Sequence, residues 1–250
     1  MSEQPIPEAL ALAIAKADAV VALTGAGMSA ESGVPTFRGI GGLWQGDRPE
    51  DLATPLAFRK DPEKVWEFYD WRRTLLSKCE PNAGHRALAR LEEISDEFTL
   101  ITQNVDGLHT VAGSREVLEV HGNIWRVRCT GGCGEQDDRR APLPRPLPPR
   151  CSCKSMLRPA VVWFGESLPR EVFEHATRAS EQADVFLIIG TSGAVEPAAS
   201  LARVARAANA VIAEINPEGS LLSAVSRWVI REGAATALPR LVAAVEEARR

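Results

Sequence analysis

The sequence predicts an α/β protein with a parallel, doubly wound sheet, and two observations lead to that prediction. Two short runs, residues 19–23 and 185–189, are entirely apolar, as expected for strands that are covered on both faces. Each run is followed by a loop that contains glycine, Gly25 in one case and Gly190 in the other. Ligands of such sheets bind outside the carboxyl ends of the strands. The pattern therefore predicts a place for a nucleotide as well as a fold class.

Helices and strands alternate along the rest of the chain. Residues 7–16 have apolar side chains at helical spacings, and residues 61–77 place Val65, Phe68, Trp71 and Leu75 on one face. Further helices are predicted over residues 84–94, 197–208 and 238–250. Further strands are predicted over residues 97–101, 115–120 and 210–215. This alternation favours β–α–β units and a parallel sheet.

The composition is that of a globular chain with one substantial core. Its 250 residues are 45% hydrophobic and 25% charged, with a formal net charge of −4. There is no basic surplus for nucleic acid, and no apolar run approaches the roughly 20 residues of a membrane span. The N-terminus lacks a basic segment followed by an apolar core, so we expect no signal peptide, a cytoplasmic location and reduced cysteines.

Four of the five cysteines lie in one stretch that has neither a helical nor a strand period. Cys129 and Cys133 form one pair, and Cys151 and Cys153 form the other, with a proline-rich run over residues 141–150 between them. Two such pairs predict a zinc ribbon, in which four thiolates hold one Zn²⁺. The alternative is buried free thiols, and the spacings differ from the usual two intervening residues. Cys79 is expected to be an ordinary free cysteine.

Several loops at predicted strand ends carry polar or glycine residues suited to a ligand. The Gly25-Ala26-Gly27 turn leads into a helix whose N–H groups can receive a phosphate, although it is alternatively a structural turn. Asn104 and Asp106 follow a strand, where such residues also form simple turns. His121 follows another strand beside Gly122, and an imidazole that titrates near neutrality suits a general base.

Taken together and in order, these segments resemble one family. The stretches GAGMSAESGVPTFRG, TQNVDGLH, VHG, VVWFGE, GTSGAVEPA and EINPE, with the paired cysteines between them, resemble the sirtuin family of NAD-dependent protein deacylases. The resemblance covers residues 11–245. It implies a Rossmann-like NAD-binding domain over residues 1–38, 82–122 and 158–250. A small domain would combine a helical insertion, residues 39–81, with a zinc-ribbon module, residues 123–157.

The resemblance also implies roles for individual residues. NAD would contact the glycine loops and the strand ends. The implied NAD-binding residues are Gly25, Ala26, Gly27, Ser29, Phe37, Arg38, Trp44, Gln103, Asn104, Asp106, Gly190, Thr191, Ser192, Asn216 and Ala234. The acylated lysine would lie against an edge formed by Val162, Phe164, Gly165 and Glu166, and Cys129, Cys133, Cys151 and Cys153 would hold a structural zinc ion.

The chemistry that the resemblance implies is acyl transfer rather than hydride transfer. The acyl amide oxygen attacks C1′ of the nicotinamide ribose and expels nicotinamide. His121 then acts as the base on the ribose hydroxyls, and free lysine and O-acyl-ADP-ribose are released. The partners are acylated lysine side chains of proteins. We expect no nucleic acid and no membrane as a partner, and a monomer is compatible with the sequence.

One helix resembles that of a particular branch of the family. Tyr69 and Arg72 are three residues apart, which places both on one face of a helix. They match the pair with which desuccinylating and demalonylating sirtuins bind an acidic acyl group, and Ala53 matches a small residue that leaves room for it. A phenol and a guanidinium can bind a carboxylate together. The alternative is a surface arginine beside a half-buried tyrosine.

Other functions stay open at this point. A sirtuin that is mainly a deacetylase, or a sirtuin-fold ADP-ribosyltransferase, would share most of these motifs. A Rossmann dehydrogenase would not account for the paired cysteines. A nucleic-acid-binding zinc ribbon would have to use Arg139, Arg140, Arg145 and Arg150, which lack aromatic stacking partners and are expected to be a solvated surface.

Overall fold

The computed structural model describes residues 4–35 and 46–250. Nine strands occur in that part of the chain, and most follow the apolar runs of the sequence. In chain order they are β1 (Ala19–Thr24), β2 (Glu97–Thr102), β3 (Val117–Glu119), β4 (Gly122–Cys129), β5 (Glu135–Asp137), β6 (Leu157–Val161), β7 (Val185–Ile189), β8 (Val211–Ile215) and β9 (Trp228–Ile230).

Six strands form one parallel sheet in the order β3-β2-β1-β7-β8-β9. This is the Rossmann arrangement, in which strand order reverses beside the first strand and leaves a crevice at the carboxyl ends. Every residue of β7 is buried, as is β1 from Val20 onward. The predicted parallel, doubly wound sheet is therefore confirmed.

Ten α-helices lie in the same part of the chain. They are α1 (Glu8–Lys16), α2 (Gly27–Ala30), α3 (Pro49–Leu52), α4 (Pro55–Lys60), α5 (Pro62–Leu76), α6 (Ala83–Ile94), α7 (Leu108–Val111), α8 (Arg170–Gln182), α9 (Ser200–Ala207) and α10 (Ala234–Ala248). No helix among the described residues is both long and apolar enough to cross a membrane.

Helices cover both faces of the large sheet. On one face, Leu10 of α1, Leu88 of α6 and Leu241 of α10 form a buried cluster with the strands. On the other face, Ala176 of α8 and Leu201 of α9 pack against the sheet in a second cluster. Burying both faces in this way leaves the ends of the strands as the place for a ligand.

The remaining strands form a small antiparallel sheet in the order β5-β4-β6. A third apolar cluster packs this sheet against α5 through Trp66 and Phe68, and Leu143 and Leu147 of the proline-rich run join it. Arg73 of α5 is fully buried, and its Nε donates to the backbone oxygen of Ile124 in β4. The cysteine-rich stretch and α5 are therefore packed as one unit.

The boundaries and burial of several elements differ from the prediction. The closing helix begins at Ala234, four residues before the predicted start, and the Glu31 carboxylate accepts a hydrogen bond from Ala235 N in its first turn. The strand predicted over residues 115–120 is limited to β3. The helix predicted over residues 197–208 is α9, which begins three residues later than predicted. Leu75 of α5 is only half-buried, whereas Tyr69 is 3% exposed. This helix packs toward β4 and β6, so its buried face is rotated from the one the sequence predicts.

Candidate active site

Two glycine loops meet where β1 and β7 end. Gly25 N donates to Ile189 O at 3.0 Å, and Gly27 N donates to Gly190 O at 2.7 Å. A Cβ atom on Gly27 would lie 2.8 Å from Gly190 Cα, and Gly190 itself has a φ of +58°. Any side chain at Gly27 would therefore separate the loops, and this packing requires the glycines that the sequence places here.

The two loops offer backbone donors to a ligand. Among residues 4–35 and 46–250, the N–H groups of Ala26 and Ser192 donate no hydrogen bond to another group of the protein. Unpaired N–H groups beside a glycine turn are suited to phosphate oxygens. The donor set at these strand ends therefore fits the pyrophosphate of NAD.

Polar side chains from the end of β2 converge on the same loops. Gln103 Nε2 donates to Thr191 Oγ1 at 3.0 Å. Asn104 Nδ2 donates to Gly25 O at 3.0 Å and to Ser29 Oγ at 3.2 Å. Thr191 and Gly25 belong to the two glycine loops, so these bonds join three neighbouring strand ends.

Asp106 is buried next to Ser29, whose hydroxyl also contacts Asn104. Its carboxylate accepts a hydrogen bond from Ser29 Oγ at 2.7 Å and one from Leu108 N at 2.9 Å. Burial raises the pKa of Asp106 above its usual range, and the two hydrogen bonds oppose that shift. Ser29 and Asp106, both expected at the site, are thus in direct contact.

Two buried histidines lie behind Ser29 and β1. His85 Nδ1 accepts a hydrogen bond from Asn82 N, so its Nε2–H faces Ser29 Oγ at 3.3 Å. His109 Nε2 lies 3.0 Å from Thr24 Oγ1, and its buried Nδ1 has no hydrogen-bond partner among the described residues. Burial lowers the pKa of His85 to about 4 and that of His109 to about 3. Both rings are therefore neutral at pH 7, and sequence reasoning did not single out either of them.

His121 lies in the turn between β3 and β4, beside the end of β2. Its Nδ1 is 3.0 Å from Gln103 O, and a carbonyl oxygen can only accept, so Nδ1 carries the proton. The other ring nitrogen, Nε2, then has a free lone pair. Burial lowers the pKa of His121, and the bond to Gln103 partly offsets that effect. The imidazole is thus held as a neutral base.

The segment after β6, residues 162–166, contacts His121 and Ala53, which lies between α3 and α4. Val162 N donates to His121 O at 2.9 Å, and Phe164 N donates to Ala53 O at 2.9 Å. Gly165 has a φ of +85°, which favours glycine, and Phe164 is 48% exposed. The expected peptide-binding edge therefore adjoins both His121 and Ala53.

Trp163 joins that edge to α5. Its Nε1 donates to Tyr69 Oη at 2.9 Å. The Arg158 guanidinium lies 3.4 Å from the centroid of the Trp163 ring and pairs with Glu166 at 2.6 Å. Glu166 thus stabilises the turn through Arg158. Sequence reasoning missed Trp163 as the partner of Tyr69, although the VVWFGE segment contains it.

Tyr69 and Arg72 lie on the same side of α5. Burial raises the pKa of Tyr69 to about 12, so the phenol is protonated at neutral pH. Because Trp163 donates to Oη, the Tyr69 hydroxyl retains its own proton for another acceptor. Arg72 is half-buried against the Phe68 ring, and its charge interacts with that of the Asp106 carboxylate. Tyr69 is therefore buried rather than half-buried and Arg72 is not fully exposed, while the role of the pair in acyl specificity stays a prediction.

The four paired cysteines come together as the sequence predicts. Their Sγ atoms all lie within 4.8 Å of one another, and those of Cys129 and Cys153 are 3.5 Å apart. Four sulfurs around one Zn²⁺ at about 2.3 Å are separated by roughly 3.8 Å. The cluster therefore fits one zinc ion, in spite of the unusual C-x3-C and C-x-C spacings.

The other expected cofactor residues divide into three groups. Asn216 Nδ2 donates to Thr191 O at 2.9 Å, which brings the end of β8 to the second glycine loop. Ala234 begins α10 and packs closely against Gly84. Phe37, Arg38 and Trp44 lie outside the described residues.

The fold and site define an α/β protein with loops suited to a dinucleotide at the carboxyl ends of a Rossmann sheet and with a four-cysteine cluster that fits one zinc ion. Residues 25–197 match the model of the Sir2 family. The chain belongs to the Sir2 family.

The chain is similar in sequence to known proteins over nearly its whole length. The NAD-dependent protein deacylase of Aquifex aeolicus is 51% identical over 223 residues, which cover 89% of this chain and 93% of that protein. NAD-dependent protein deacylase 1 of Archaeoglobus fulgidus is 48% identical over 241 residues, covering 96% and 98%. A solved Sir2 homolog–NAD complex superposes with a TM-score of 0.93 at 46% identity, covering 100% of this chain and 98% of that one.

Proposed function

We propose that this Sir2-family enzyme is an NAD-dependent protein-lysine deacylase that removes succinyl and malonyl groups and, more slowly, acetyl groups. Its products are nicotinamide, free lysine and the O-acyl ester of ADP-ribose. The single observation that carries the acyl preference is the hydrogen bond between Trp163 Nε1 and Tyr69 Oη, beside Arg72 on the same helix.

In this proposal the adenosine half and the pyrophosphate of NAD bind at the ends of β1, β7 and β8. The free N–H groups of Ala26 and Ser192 contact the phosphates, and Asn216 contacts the adenosine ribose. Gln103, Asn104 and Asp106 hold the nicotinamide half. NAD supplies a cationic leaving group on the ribose, so the protein has mainly to position the reacting groups.

His121 is the general base. Its Nδ1 proton is held by Gln103 O, so the lone pair on Nε2 is available to a ribose hydroxyl. Burial keeps the ring neutral at physiological pH by lowering its pKa. Val162 N contacts His121 O, which ties the base to the edge that would pair with the extended substrate peptide.

The acyl pocket lies between α5 and the segment after β6. The Tyr69 hydroxyl donates to the terminal carboxylate of a succinyl or malonyl group, and Arg72 supplies the opposite charge. Both donors are held in place, since Trp163 orients Tyr69 and the Phe68 ring supports Arg72. A preorganised guanidinium beside a neutral phenol donor favours a dicarboxylic acyl chain over acetyl.

Two other activities are alternatives within the same family. An enzyme that is mainly a deacetylase would not use the Tyr69 and Arg72 donors. An ADP-ribosyltransferase would attach ADP-ribose to a protein instead of releasing free lysine.

The proposal is tested by incubating matched acetyl-lysine and succinyl-lysine peptides with NAD and the purified enzyme. Nicotinamide release and peptide mass are followed together. We expect faster nicotinamide release and loss of the acyl mass with the succinyl peptide. Equal or faster acetyl removal contradicts the acyl preference, and label that passes from radiolabelled NAD to protein supports ADP-ribosyl transfer. Absence of nicotinamide release with both peptides overturns deacylation.

A further inference from the structure

We propose that Glu214 is a positioning residue of the cofactor site. Together with Thr191 O, it holds the side-chain amide of Asn216 so that the amide oxygen faces the adenosine ribose, and its negative charge favours a ribose without a 2′-phosphate. The inference rests on the proposed function, in which Asn216 contacts that ribose.

Glu214 is a fully buried carboxylate in the interior of the molecule, one residue before the end of β8. Ser223 Oγ donates to its Oε2 at 2.6 Å, and Arg231 Nη1 lies 3.9 Å from Oε1. The third polar neighbour is Asn216 Nδ2, at 3.4 Å from Oε1. A buried carboxylate is costly unless polar groups surround it, so these contacts hold it in one orientation.

The contacts of Asn216 determine which way its amide points. Its Nδ2 lies 2.9 Å from Thr191 O and 3.4 Å from Glu214 Oε1. A backbone carbonyl and a carboxylate can only accept, so the NH₂ group must face them. The backbone N of Asn216 is fixed by its bond to Ile230 O at 3.0 Å. The acceptor oxygen Oδ1 is therefore directed away from both groups and is left for a ligand at the strand end.

This arrangement suits a ribose hydroxyl and disfavours a phosphate. A hydroxyl can donate to Oδ1, whereas a phosphate presents only acceptor oxygens and negative charge to Oδ1 and to Glu214. Arg231 pairs loosely with the Glu214 carboxylate, at 3.9 Å. Its Nη1 donates to Glu218 O at 2.7 Å, and its Nη2 donates to Ser223 Oγ at 3.4 Å. Dehydrogenases use an acid or an arginine for the same choice between NAD and NADP, and here Glu214 acts through Asn216.

The test compares the dissociation constants of ADP-ribose and of ADP-ribose 2′-phosphate by calorimetry, without any turnover. We expect the wild-type enzyme to prefer ADP-ribose by roughly tenfold or more, because like charges are brought together in the other complex. Glu214→Gln removes the negative charge behind Asn216 and leaves Thr191 O to hold the amide, so the preference for ADP-ribose over ADP-ribose 2′-phosphate should narrow at least about tenfold. Glu97→Gln makes the same chemical change at an exposed position at the other end of the sheet and should match the wild type.

A second variant keeps the test informative if Glu214→Gln does not fold. Glu214→Asp keeps the negative charge but moves the carboxylate away from Asn216. It should therefore also narrow the preference for ADP-ribose over ADP-ribose 2′-phosphate. If a folded variant keeps the wild-type preference, or loses affinity equally for both ligands, the positioning role of Glu214 is overturned. If the wild-type enzyme binds neither ligand, it is the proposed NAD site that fails.

Discussion

His121 Nδ1 lies 3.0 Å from the backbone oxygen of Gln103, and this contact determines which imidazole nitrogen is free to act as a base. Gln103 also donates from its side chain to Thr191 Oγ1. The same residue therefore links the base to the second glycine loop.

Replacing His121 with glutamine should abolish turnover while the protein folds and binds NAD. The amide cannot take up a proton, and loss of a general base typically costs about 10²–10⁴-fold in rate. Single-turnover formation of the deacylated peptide, which follows the base step, and calorimetric NAD binding measure the two properties separately. His175→Gln, at an exposed position on α8, is the matched control and should retain full activity. Substantial deacylation by the His121 variant would remove this residue from its role.

The pH dependence of kcat/KM should show an acid limb centred below pH 6.5. Burial lowers the pKa of His121 from its ordinary value of 6.5, and only the neutral ring is a base. Activity should therefore be constant near neutrality and fall only as the pH drops through that lowered pKa. Initial rates at low substrate concentration, measured from pH 5 to pH 8, give the profile. A midpoint above pH 7 is incompatible with this assignment.

Removing zinc should destabilise α5 together with the cysteine cluster. The cluster adjoins β4, and β4 is bonded to α5 through Arg73 and a shared apolar core. Cys153→Ser should lower the zinc content from about one ion per chain and lower the unfolding temperature. Cys79→Ser is the control, because Cys79 lies outside the cluster. Metal analysis and thermal unfolding provide the readout, and unchanged zinc content in the Cys153 variant would contradict the ligand assignment.

Tyr69→Phe should weaken desuccinylation and leave deacetylation nearly unchanged. The variant keeps the ring but loses the hydroxyl that would donate to the acyl carboxylate. It also leaves Trp163 Nε1 without its acceptor. A hydrogen bond to a charged group contributes about 1.5–3 kcal/mol, so kcat/KM for the succinyl peptide should fall about tenfold or more. Equal losses on both peptides would indicate a purely structural role for the hydroxyl.

The parts of the fold that the sequence predicts well are those governed by local pattern. The apolar runs at β1 and β7 are correct to within one residue because strands covered on both faces need no polar positions. The strand β9 has only three residues, too few to show a period. The sequence predicts neither β9 nor the helix α8, which carries only a narrow apolar stripe in a mostly polar sequence.

In the candidate site, too, the sequence predicts the features that depend on local spacing and misses those that depend on long-range contacts. The Tyr69 and Arg72 pair is visible from a spacing of three residues. The partner of Tyr69, Trp163, is 94 residues away in sequence, and only the packing of α5 against β6 brings it there. The tautomer of His121 likewise depends on Gln103, 18 residues earlier. Local spacing predicts which residues are candidates, and long-range contacts determine how they are oriented.

The most direct test of the central claim is the ratio of kcat/KM for succinyl-lysine and acetyl-lysine peptides in the wild-type enzyme and in Arg72→Met. Arg203→Met, at an exposed position, serves as the matched control. Loss of one charged contact in a desolvated site costs on the order of 2–5 kcal/mol. We therefore expect the succinyl activity of Arg72→Met to fall by a factor of about 30 or more while its acetyl activity changes little. A wild-type ratio that favours acetyl, or an unchanged ratio in the Arg72 variant, would contradict the assignment of this enzyme to acidic acyl groups.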